Sequence, residues 1–494
     1  MLNGVKSALD WRMSFVNNTP DERQVTARAT LNERDRERLG MEINDLVQGA
    51  MDLTVKVDLS KDQVTGAQVE ADLSKATLMV QGIDWRRPPA AKTHATMTVT
   101  MAEDGALDVR DFALTGTDLE VRGDFTVNGR GDVQRSNLPV VRLGQGNDLS
   151  LVINRLDEKR LEVTVNGSSF DARPMIEGLF EEKPKHNLKP QISEMKGKIA
   201  SVIGFRNERL VNVDFSGRAT ERGILALKLN GRFNDGAPFA MTIEPVAQGR
   251  RQLTAGSENG GAVLRATDLY SRVRGGRLSF SGLLGPVGSA DLDNALLRLQ
   301  NFEVMDEPAL QFDEKGNPIR LNPRQAQQRP GTMMFSSLNM PFSVDASGMT
   351  VGDTLLQGPA LGATASGVIR KPGKVLDIGG TIIPAYALNS ILSSVPVLGE
   401  MLMGGKGQGI FGVTFAIRGT TDKPQVLFNP ISALAPGFLR KIFEFQGNTG
   451  RAAPQRPPQA YPAPPGPRAT PRAQGGQPPP AQSQQPRRPR SFER

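Results

Sequence analysis

The chain has 494 residues, 38% hydrophobic and 5% aromatic, and carries a net charge of +8. Residues 451–494 hold eight Arg and a single acid, Glu493, so this tail carries +7 and the first 450 residues carry +1. The body therefore lacks the basic surplus that is typical of nucleic-acid binding. The absence of Cys excludes disulfides, thiol catalysis and zinc–thiolate sites.

Alternation of apolar and polar residues is the dominant pattern along the chain. In MDLTVKVDL (51–59), every second residue from Met51 to Leu59 is apolar. Because successive side chains of a strand point to opposite faces, such a segment predicts a strand with one apolar and one polar face. The same period returns at 95–101, 119–127, 161–165, 211–215, 225–229 and 413–417.

Turn residues separate these segments. They occur in NGRGD (128–132), DEKR (157–160), NDG (234–236), ENGG (258–261) and VRGGR (273–277). This rhythm predicts consecutive antiparallel hairpins, with on the order of 30 strands in the body. At about 4.8 Å per strand, one continuous sheet would be roughly 140 Å long. The expected fold class is all-β, a long antiparallel twisted sheet with few helices to cover its apolar face.

Helical patterns are short. Segment 171–182 predicts one or two helical turns, whereas 294–302 fits either a helix or a strand. Segments 384–395 and 431–445 space their apolar residues as helices do, which predicts short helices near the C-terminus. Beyond them, 13 of the 35 Pro residues lie in 451–494, and this composition predicts a disordered arm.

No motif indicates catalysis. GQGIFG (407–412) matches the glycine spacing of dinucleotide-binding loops, but an alternating strand follows it, so a flexible turn is expected. The two histidines, His94 and His186, lack metal-ligand spacing. We therefore expect no enzyme, no cofactor and no metal. A polysaccharide-cleaving enzyme remains as an alternative, although three Tyr and two Trp are few for aromatic sugar platforms.

Membrane-spanning segments are not evident. Residues 1–15 lack the apolar core of a signal peptide or spanning helix. The most apolar stretch, 382–403, contains Pro384, Asn389, Pro396 and Glu400, which disfavour a helix that crosses the bilayer.

Several C-terminal blocks resemble the AsmA-like family, which includes the YhdP- and TamB-type bridge-like lipid transfer proteins. RLQNFEVMDEPAL (298–310) resembles a strand followed by a short aspartate–proline helix, and 342–369 is similar to the family's strand–turn–GPAxG–strand unit. The longest resemblance joins IIPAYALNSILSSVPVLGEMLMGG (382–405) to 415–443. Residues 50–300 are similar only to the family's loosely repetitive β region.

The resemblance implies a taco-shaped β-groove that carries phospholipid acyl chains between the inner and outer membranes of a bacterial envelope. It implies a periplasmic, inner-membrane-associated location, although the transmembrane helix with which family members open is not found in this sequence. Implied partners are phospholipid, a membrane surface and inner- or outer-membrane proteins, but no nucleic acid. Expected regions are 1–230 (repetitive β-groove), 231–446 (C-terminal β-groove with terminal helices) and 447–494 (disordered tail).

The expected lipid-lining residues are the apolar members of the alternating segments. They are Leu53, Val55, Val57, Leu161, Val163, Val165, Val211, Val213, Phe215, Leu225, Leu227, Leu229, Phe415 and Ile417. The residues expected to cap the groove or contact a membrane are Leu434, Phe438, Ile442 and Phe445. A rival interpretation is an envelope structural or outer-membrane-protein assembly factor that docks partner strands at its sheet edges without lipid transfer.

Overall fold

A computed structural model describes residues 3–429, apart from 17–18, 61–62, 91, 103–104, 179–190, 221, 306–331, 385–412 and 422. The described part is 69% strand and 7% helix, and its main sheet of 23 strands is not closed. The predicted all-β fold built on one long sheet is therefore confirmed. With 22 spacings of about 4.8 Å, the sheet extends about 105 Å from its first strand to its last, followed along its surface.

Twenty-six strands are described. The first nine are β1 (Ala8–Val16), β2 (Thr19–Leu31), β3 (Val47–Gly49), β4 (Met51–Ser60), β5 (Gln63–Asp72), β6 (Ala76–Val80), β7 (Trp85–Arg87), β8 (His94–Met101) and β9 (Leu107–Gly116). The next nine are β10 (Leu119–Val127), β11 (Val133–Leu143), β12 (Asn147–Arg155), β13 (Arg160–Asp171), β14 (Ile192–Ile203), β15 (Arg209–Thr220), β16 (Gly223–Phe233), β17 (Pro238–Pro245) and β18 (Arg251–Ser257). The last eight are β19 (Val273–Leu284), β20 (Leu292–Met305), β21 (Thr332–Asp345), β22 (Gly348–Gln357), β23 (Leu361–Arg370), β24 (Val375–Pro384), β25 (Val413–Thr420) and β26 (Lys423–Asn429).

Helices are few and short in the described residues. They are α1 (Glu33–Arg38), α2 (Arg173–Glu177) and α3 (Gly260–Ala266), with 3-10 turns at Gln81–Ile83 and Ala247–Gly249. The helical turn predicted within 171–182 is α2, and the ambiguous segment 294–302 is part of β20. The helices predicted at 384–395 and 431–445 lie outside the described residues, except that Pro384 ends β24.

The main sheet follows the chain almost without interruption. Its spatial order is β1, β2, β4, β5, β8 and then β9 to β26 in sequence. Every described neighbouring pair is antiparallel except β13–β14, which is parallel. Strand β14 therefore begins at the margin at which β13 began.

The two long margins of the sheet differ. At one margin β2, β5, β13, β18, β20 and β24 end, and each is followed by a long connection; these connections contain α1, α2, α3 and the small sheet β3–β6–β7. We call it the insertion margin. At the opposite, hairpin margin, strands are joined by short turns such as 128–132, 156–159 and 246–250. Protein that could cover the sheet is thus supplied from one side.

The register keeps apolar residues on one face of the sheet. Directly opposed residues share a face, so a row can be followed from strand to strand. One such row runs Leu151, Val165, Gly197, Phe215, Leu229, Met241, Ala255, Phe280, Leu297 and Met340. We call this the apolar face and the other the polar face.

The polar face carries cross-strand ion pairs. Lys196 Nζ lies 2.6 Å from Glu162 Oε1, and Lys56 Nζ lies 3.0 Å from Glu70 Oε1. Such exposed pairs contribute little to stability, but they keep this face solvated and discourage sheet stacking.

Three hydrophobic clusters are formed by the described residues. The first packs the small sheet against the apolar face at the insertion margin, where Val47 and Leu78 meet Leu31 and Met51. The second packs α3 and strands β19 to β26 together, also at the insertion margin. The third is centred on Leu292, Ala295 and Val344 at the hairpin margin.

The main sheet is not divided at residue 230. Residues 230 and 231 are paired members of β16, and Met1–Gly447 cluster as one compact unit. The expected regions 1–230 and 231–446 both lie within that unit. The second unit, Asn448–Arg494, begins one residue from the predicted start of the tail and lies outside the described residues.

Candidate functional site: an uncovered apolar face

Strands β12 to β18 form a section of the apolar face that none of the three described clusters reaches. The first cluster ends at β11, and the second begins at α3 and β19. Between them, apolar side chains of β12, β13, β16 and β17 point to the same side and belong to no described cluster. Only at the insertion margin does a helix reach this section, where Arg265 of α3 donates to Glu208 in the turn between β14 and β15. We call β12–β18 the open section.

Burial within the open section is partial. On β16, Leu225, Leu227 and Leu229 are half-buried, and only Phe233, at the insertion margin, is buried among its apolar side chains. Ile199, Val213 and Ile243 are the other buried apolar side chains of this section among the described residues. Neighbours within the sheet thus shield these side chains from the sides, while their tips stay accessible. Such a face retains a hydrophobic driving force for binding.

Glycines on the apolar face allow aromatic rings to lie against the sheet. A Cβ placed on Gly197 would stand 2.9 Å from Cε1 of Phe215, its cross-strand partner, and closer still to the carbonyl oxygen of Val165. A Cβ on Gly231 would stand 2.7 Å from Cγ of Leu210. A side chain at Gly197 or Gly231 would displace the neighbouring strand or ring, so glycine is required where the sheet and these side chains approach so closely.

The predicted lining residues fall mostly on this face. Leu53, Val55 and Val57 oppose Ala71, Val69 and Ala67 on β5, outside the open section. In the open section, the register places seven of the predicted lining residues on the apolar face. They are Leu161, Val163, Val165, Val213, Phe215, Leu227 and Leu229. Leu225 is the unpaired residue of a bulge on β16.

Val211 departs from the alternation. Asn212 adopts a positive φ of 52°, and the pairing with β16 shifts between Val211 and Asp214. As a result Val211 lies opposite exposed Arg232, and Leu210 lies opposite buried Phe233. The apolar position expected for Val211 is therefore taken by Leu210.

Phe415 and Ile417 lie on the apolar face of β25, far from the open section. Phe415 is buried in the second cluster, and Ile417 packs against the same cluster. A Cβ on Gly380 would stand 2.7 Å from Cζ of Phe415, so the ring lies over that glycine. These two side chains line a packed part of the face. The predicted capping residues Leu434, Phe438, Ile442 and Phe445 lie outside the described residues.

Further lining residues come from β12, β14 and β17, which the sequence interpretation did not single out. They are Leu149, Leu151, Ile153, Met195, Phe239 and Met241. The signal was present, because NDLSLVINR and PFAMTIEP both alternate with a period of two. Polar neighbours and a mid-strand Met make these runs less conspicuous than LALKL.

Two arginines lie on the apolar side at the hairpin margin of the open section. Arg155 Nε donates to the carbonyl oxygen of Val133 at 2.7 Å, and Arg251 Nη1 donates to that of Ile224 at 2.6 Å. Arg251 also donates to Gly285 at 2.9 Å, and its burial lowers the pKa of its guanidinium. Their hydrogen bonds tie adjacent turns together and leave positive charge along this margin.

No metal site is apparent among the described residues. They contain no group of three or more His, Asp or Glu placed to hold a metal ion, and His94 is an exposed residue at the start of β8. A cavity of about 460 Å³ beside the Glu258–Arg277 ion pair is lined by polar residues and glycine, away from the open section. GQGIFG and His186 lie outside the described residues, although the strand predicted to follow GQGIFG is β25.

Among the helices of the described residues, none has the length and apolar composition needed to cross a bilayer. No protein-family model matches the chain, and comparisons with curated proteins and with solved structures gave no significant match.

Proposed function

We propose that this chain is a lipid-carrying protein whose open section, β12–β18, holds acyl chains. The observation that carries the proposal is an apolar face continued through seven strands that none of the described hydrophobic clusters covers, with α3 reaching only its insertion margin, where the amide of Phe205 donates to Ala266. A face of this kind needs an apolar guest, and a hydrocarbon chain fits because the strands offer apolar contacts and few polar ones.

The expected energetics are favourable. Burying one methylene is worth about 0.8 kcal/mol, so a 16-carbon chain gains on the order of 10 kcal/mol before entropic costs. Apolar rows recur on every strand of the section, so this gain changes little as the chain moves from one strand to the next. Movement along the sheet then needs only small barriers.

Head groups would lie at the hairpin margin. The insertion margin is the side from which α1, α2, α3 and the small sheet are supplied. The hairpin margin of the open section carries the half-buried Arg155, whose charge is compatible with a phosphate-bearing head group, whereas Arg251 is buried and holds the margin together through backbone carbonyl oxygens. The proposed substrate is therefore a phospholipid with its tails on the face and its head group at this margin.

Transport between the inner and outer membranes of a bacterial envelope is the wider role that we propose. Its basis is the resemblance of 298–310, 342–369 and 382–443 to AsmA-like proteins, together with the length of the sheet. A periplasmic location and contacts with membrane proteins belong to the same proposal.

Native mass spectrometry of the full chain, purified in mild detergent, tests the lipid-carrying role. We expect co-purified phospholipid on the wild type and loss of most of it from Val163→Asp/Leu227→Asp, because both half-buried side chains lie in the open section. The matched control is Ser216→Asp/Asn230→Asp, on the polar face of β15 and β16. Circular dichroism checks that each variant folds.

The proposal fails if the wild type carries no lipid, or if the Val163→Asp/Leu227→Asp variant keeps the full load while folded. Equal losses from both double variants would also count against it, because added charge alone would then explain the effect.

A strand-docking role is the second candidate, and it is favoured by the edge strand β1, which pairs with β2 alone among the described strands. Leu9 and Trp11 lie on the apolar side and are 59% and 60% exposed. The opposite edge strand, β26, carries Lys423 and Pro424, which are features that discourage strand addition. A photocrosslinking residue at Trp11 would capture a partner strand under this hypothesis, and the purified chain would hold no lipid.

A further inference from the structure

The apolar face is more fully covered at β19–β21, where its side chains are buried from both margins inward and only the central residues stay half-buried. On β20, the apolar residues are buried almost from one margin to the other, with exposures of 4% at Leu292, 1% at Ala295, 1% at Leu299 and 3% at Phe302. Leu297, in the middle of the strand, is half-buried. On β16 of the open section, the corresponding leucines are half-buried and only the marginal Phe233 is buried. The share of buried side chains on a continuous apolar face thus rises within four strands, from both margins towards Leu297.

The closure is built from both margins. At the insertion margin α3 lies directly on the sheet, because its first residues are glycines. A Cβ on Gly260 would stand 2.9 Å from Cβ of Leu278, and one on Gly261 would stand 2.5 Å from the carbonyl oxygen of Val273. At the hairpin margin the third cluster fills the face around Leu292 and Ala295.

Phe280 connects the two sides. Its side chain packs against the second cluster and also against the third, and no other described residue packs against both. Its ring reaches over Gly282, where an added Cβ would stand 3.3 Å from Cζ of Phe280. The ring centroid lies 6.1 Å from that of Phe342 on β21. Phe280 is itself half-buried, whereas Leu278 and Leu299 around it are buried.

Beyond this closure the apolar face contains small side chains. Ala363 and Ala365 on β23 are half-buried, and they oppose Ile382 and Gly380 on β24. Half-buried apolar side chains therefore occur on either side of β20, although Ile382 and Phe415, which neighbour the two alanines, are buried in the second cluster.

We propose that Phe280, packed against Phe342, divides the apolar face, so that acyl chains occupy the open section and do not pass to β22–β24. This inference rests on the proposed lipid-carrying function and assigns Phe280 as the residue that sets how far lipid extends. Close-packed side chains and a hydrocarbon chain cannot share the same volume, so passage requires the ring to leave its site.

A crosslinking map of the full chain tests the division. The probe is a phosphatidylcholine with a diazirine at the end of one acyl chain, and crosslinked peptides are identified by mass spectrometry. In the wild type we expect adducts on β12–β18 and none on β22–β24. In Phe280→Ala we expect adducts to appear on β22–β24 and at least one more lipid to bind per chain.

Phe215→Ala is the matched control, because it removes the same ring from the open section. Its adducts should remain on β12–β18. Phe280→Leu serves as a second variant that keeps an apolar side chain on β19, and thermal melting verifies that each variant folds. We expect Phe280→Leu to give fewer adducts on β22–β24 than Phe280→Ala.

Two results would overturn the division while leaving lipid carriage intact: adducts on β22–β24 in the wild type, or a Phe280→Ala map confined to β12–β18. Adducts on β22–β24 in Phe215→Ala to the same extent as in Phe280→Ala would also overturn it. A wild type without adducts anywhere would instead overturn the proposed function, and the inference with it.

Discussion

The guanidinium of Arg36 fixes the small sheet to the main sheet. Arg36 is fully buried and donates to the carbonyl oxygens of Val47 at 2.9 Å and Gly49 at 2.8 Å, and to Oδ1 of Asn44 at 2.7 Å. Its burial lowers the pKa of the guanidinium, yet arginine stays charged at any physiological pH. The planar fork reaches acceptors on β3 and on the loop before it, which a flexible lysine would not reproduce.

We predict that Arg36→Met destabilises this region by about 3 kcal/mol, because buried acceptors lose their donor. Trp85 lies in β7 of the small sheet, so its fluorescence during urea unfolding in a Trp11→Phe background reports the change. Arg34→Met, at an exposed position of the same helix, is the control and should leave the midpoint unchanged. Equal shifts for both variants would contradict this role of Arg36.

Gly217 marks a position at which the sheet has no room for a side chain. A Cβ there would overlap the carbonyl oxygen of Ala226 on β16 and stand 3.2 Å from Cα of Leu227. We predict that Gly217→Ala costs about 2 kcal/mol and lowers the melting temperature. At Gly256 the nearest atom would be 3.6 Å away, so Gly256→Ala should be neutral or mildly stabilising. Similar melting temperatures for the two variants would refute the steric argument.

At the level of elements, the strands were the most predictable part. All seven alternating segments that the sequence analysis singled out lie within β4, β8, β10, β13, β15, β16 and β25. Alternation succeeds here because one face is apolar along the sheet, which favours a period of two. Bulges at Val211 and Leu225 interrupt that period within two of the segments.

Glycine pairs were the main source of error in assigning elements. VRGGR (273–277) was predicted to be a turn, but it opens β19, and Gly275 and Gly276 have φ values of 64° and 81°. ENGG (258–261) was also predicted to be a turn, but Asn259 caps α3, with its side chain accepting from the amide of Ala262 at 2.9 Å. Turns, bulges and helix starts all use these residues, so local sequence cannot distinguish them.

Aspartates on the polar face make the stability of the fold depend on pH. A hydrogen bond from Thr30 lowers the pKa of Asp52, and one from Ser168, assisted by Arg142, lowers that of Asp148. A carboxyl group with a lower pKa in the folded state stabilises fully above its unfolded pKa of about 3.9, and loses this contribution as pH falls through the folded value. Stability should therefore decline below about pH 4.

Thermal melting between pH 7 and pH 2 measures this decline. We predict that Asp52→Asn/Asp148→Asn melts at a lower temperature than the wild type at pH 7, and that the two curves converge at the acid end. A constant difference across the whole pH range would show that the carboxylate charges do not contribute.

At the scale of the whole molecule, the sequence predicted a one-sided sheet but not where that side is covered. The small sheet and α3 reach the apolar face through clusters that join distant parts of the chain. Leu78 and Leu31 belong to one cluster, and Leu264 and Leu299 belong to another. Alternation specifies which side of a strand is apolar, and it carries no information on what lies above it. The open section and the closure at Phe280 therefore emerged only from the three-dimensional packing.

The uneven cover predicts uneven local stability along the sheet. Each strand contacts mainly its two neighbours, so a section without a second layer has fewer interactions to lose when it opens. In hydrogen–deuterium exchange of the purified, delipidated chain, we predict faster amide exchange in β12–β18 than in β19–β21.

Adding phospholipid should slow exchange in β12–β18 and leave β19–β21 nearly unchanged, because a ligand stabilises the state that binds it. The Val163→Asp/Leu227→Asp variant supplies the control, since it should exchange quickly with or without lipid. Uniform exchange along all 23 strands would mean that the open section is as well packed as the rest. Protection spread evenly over the sheet on adding lipid would place the binding site elsewhere.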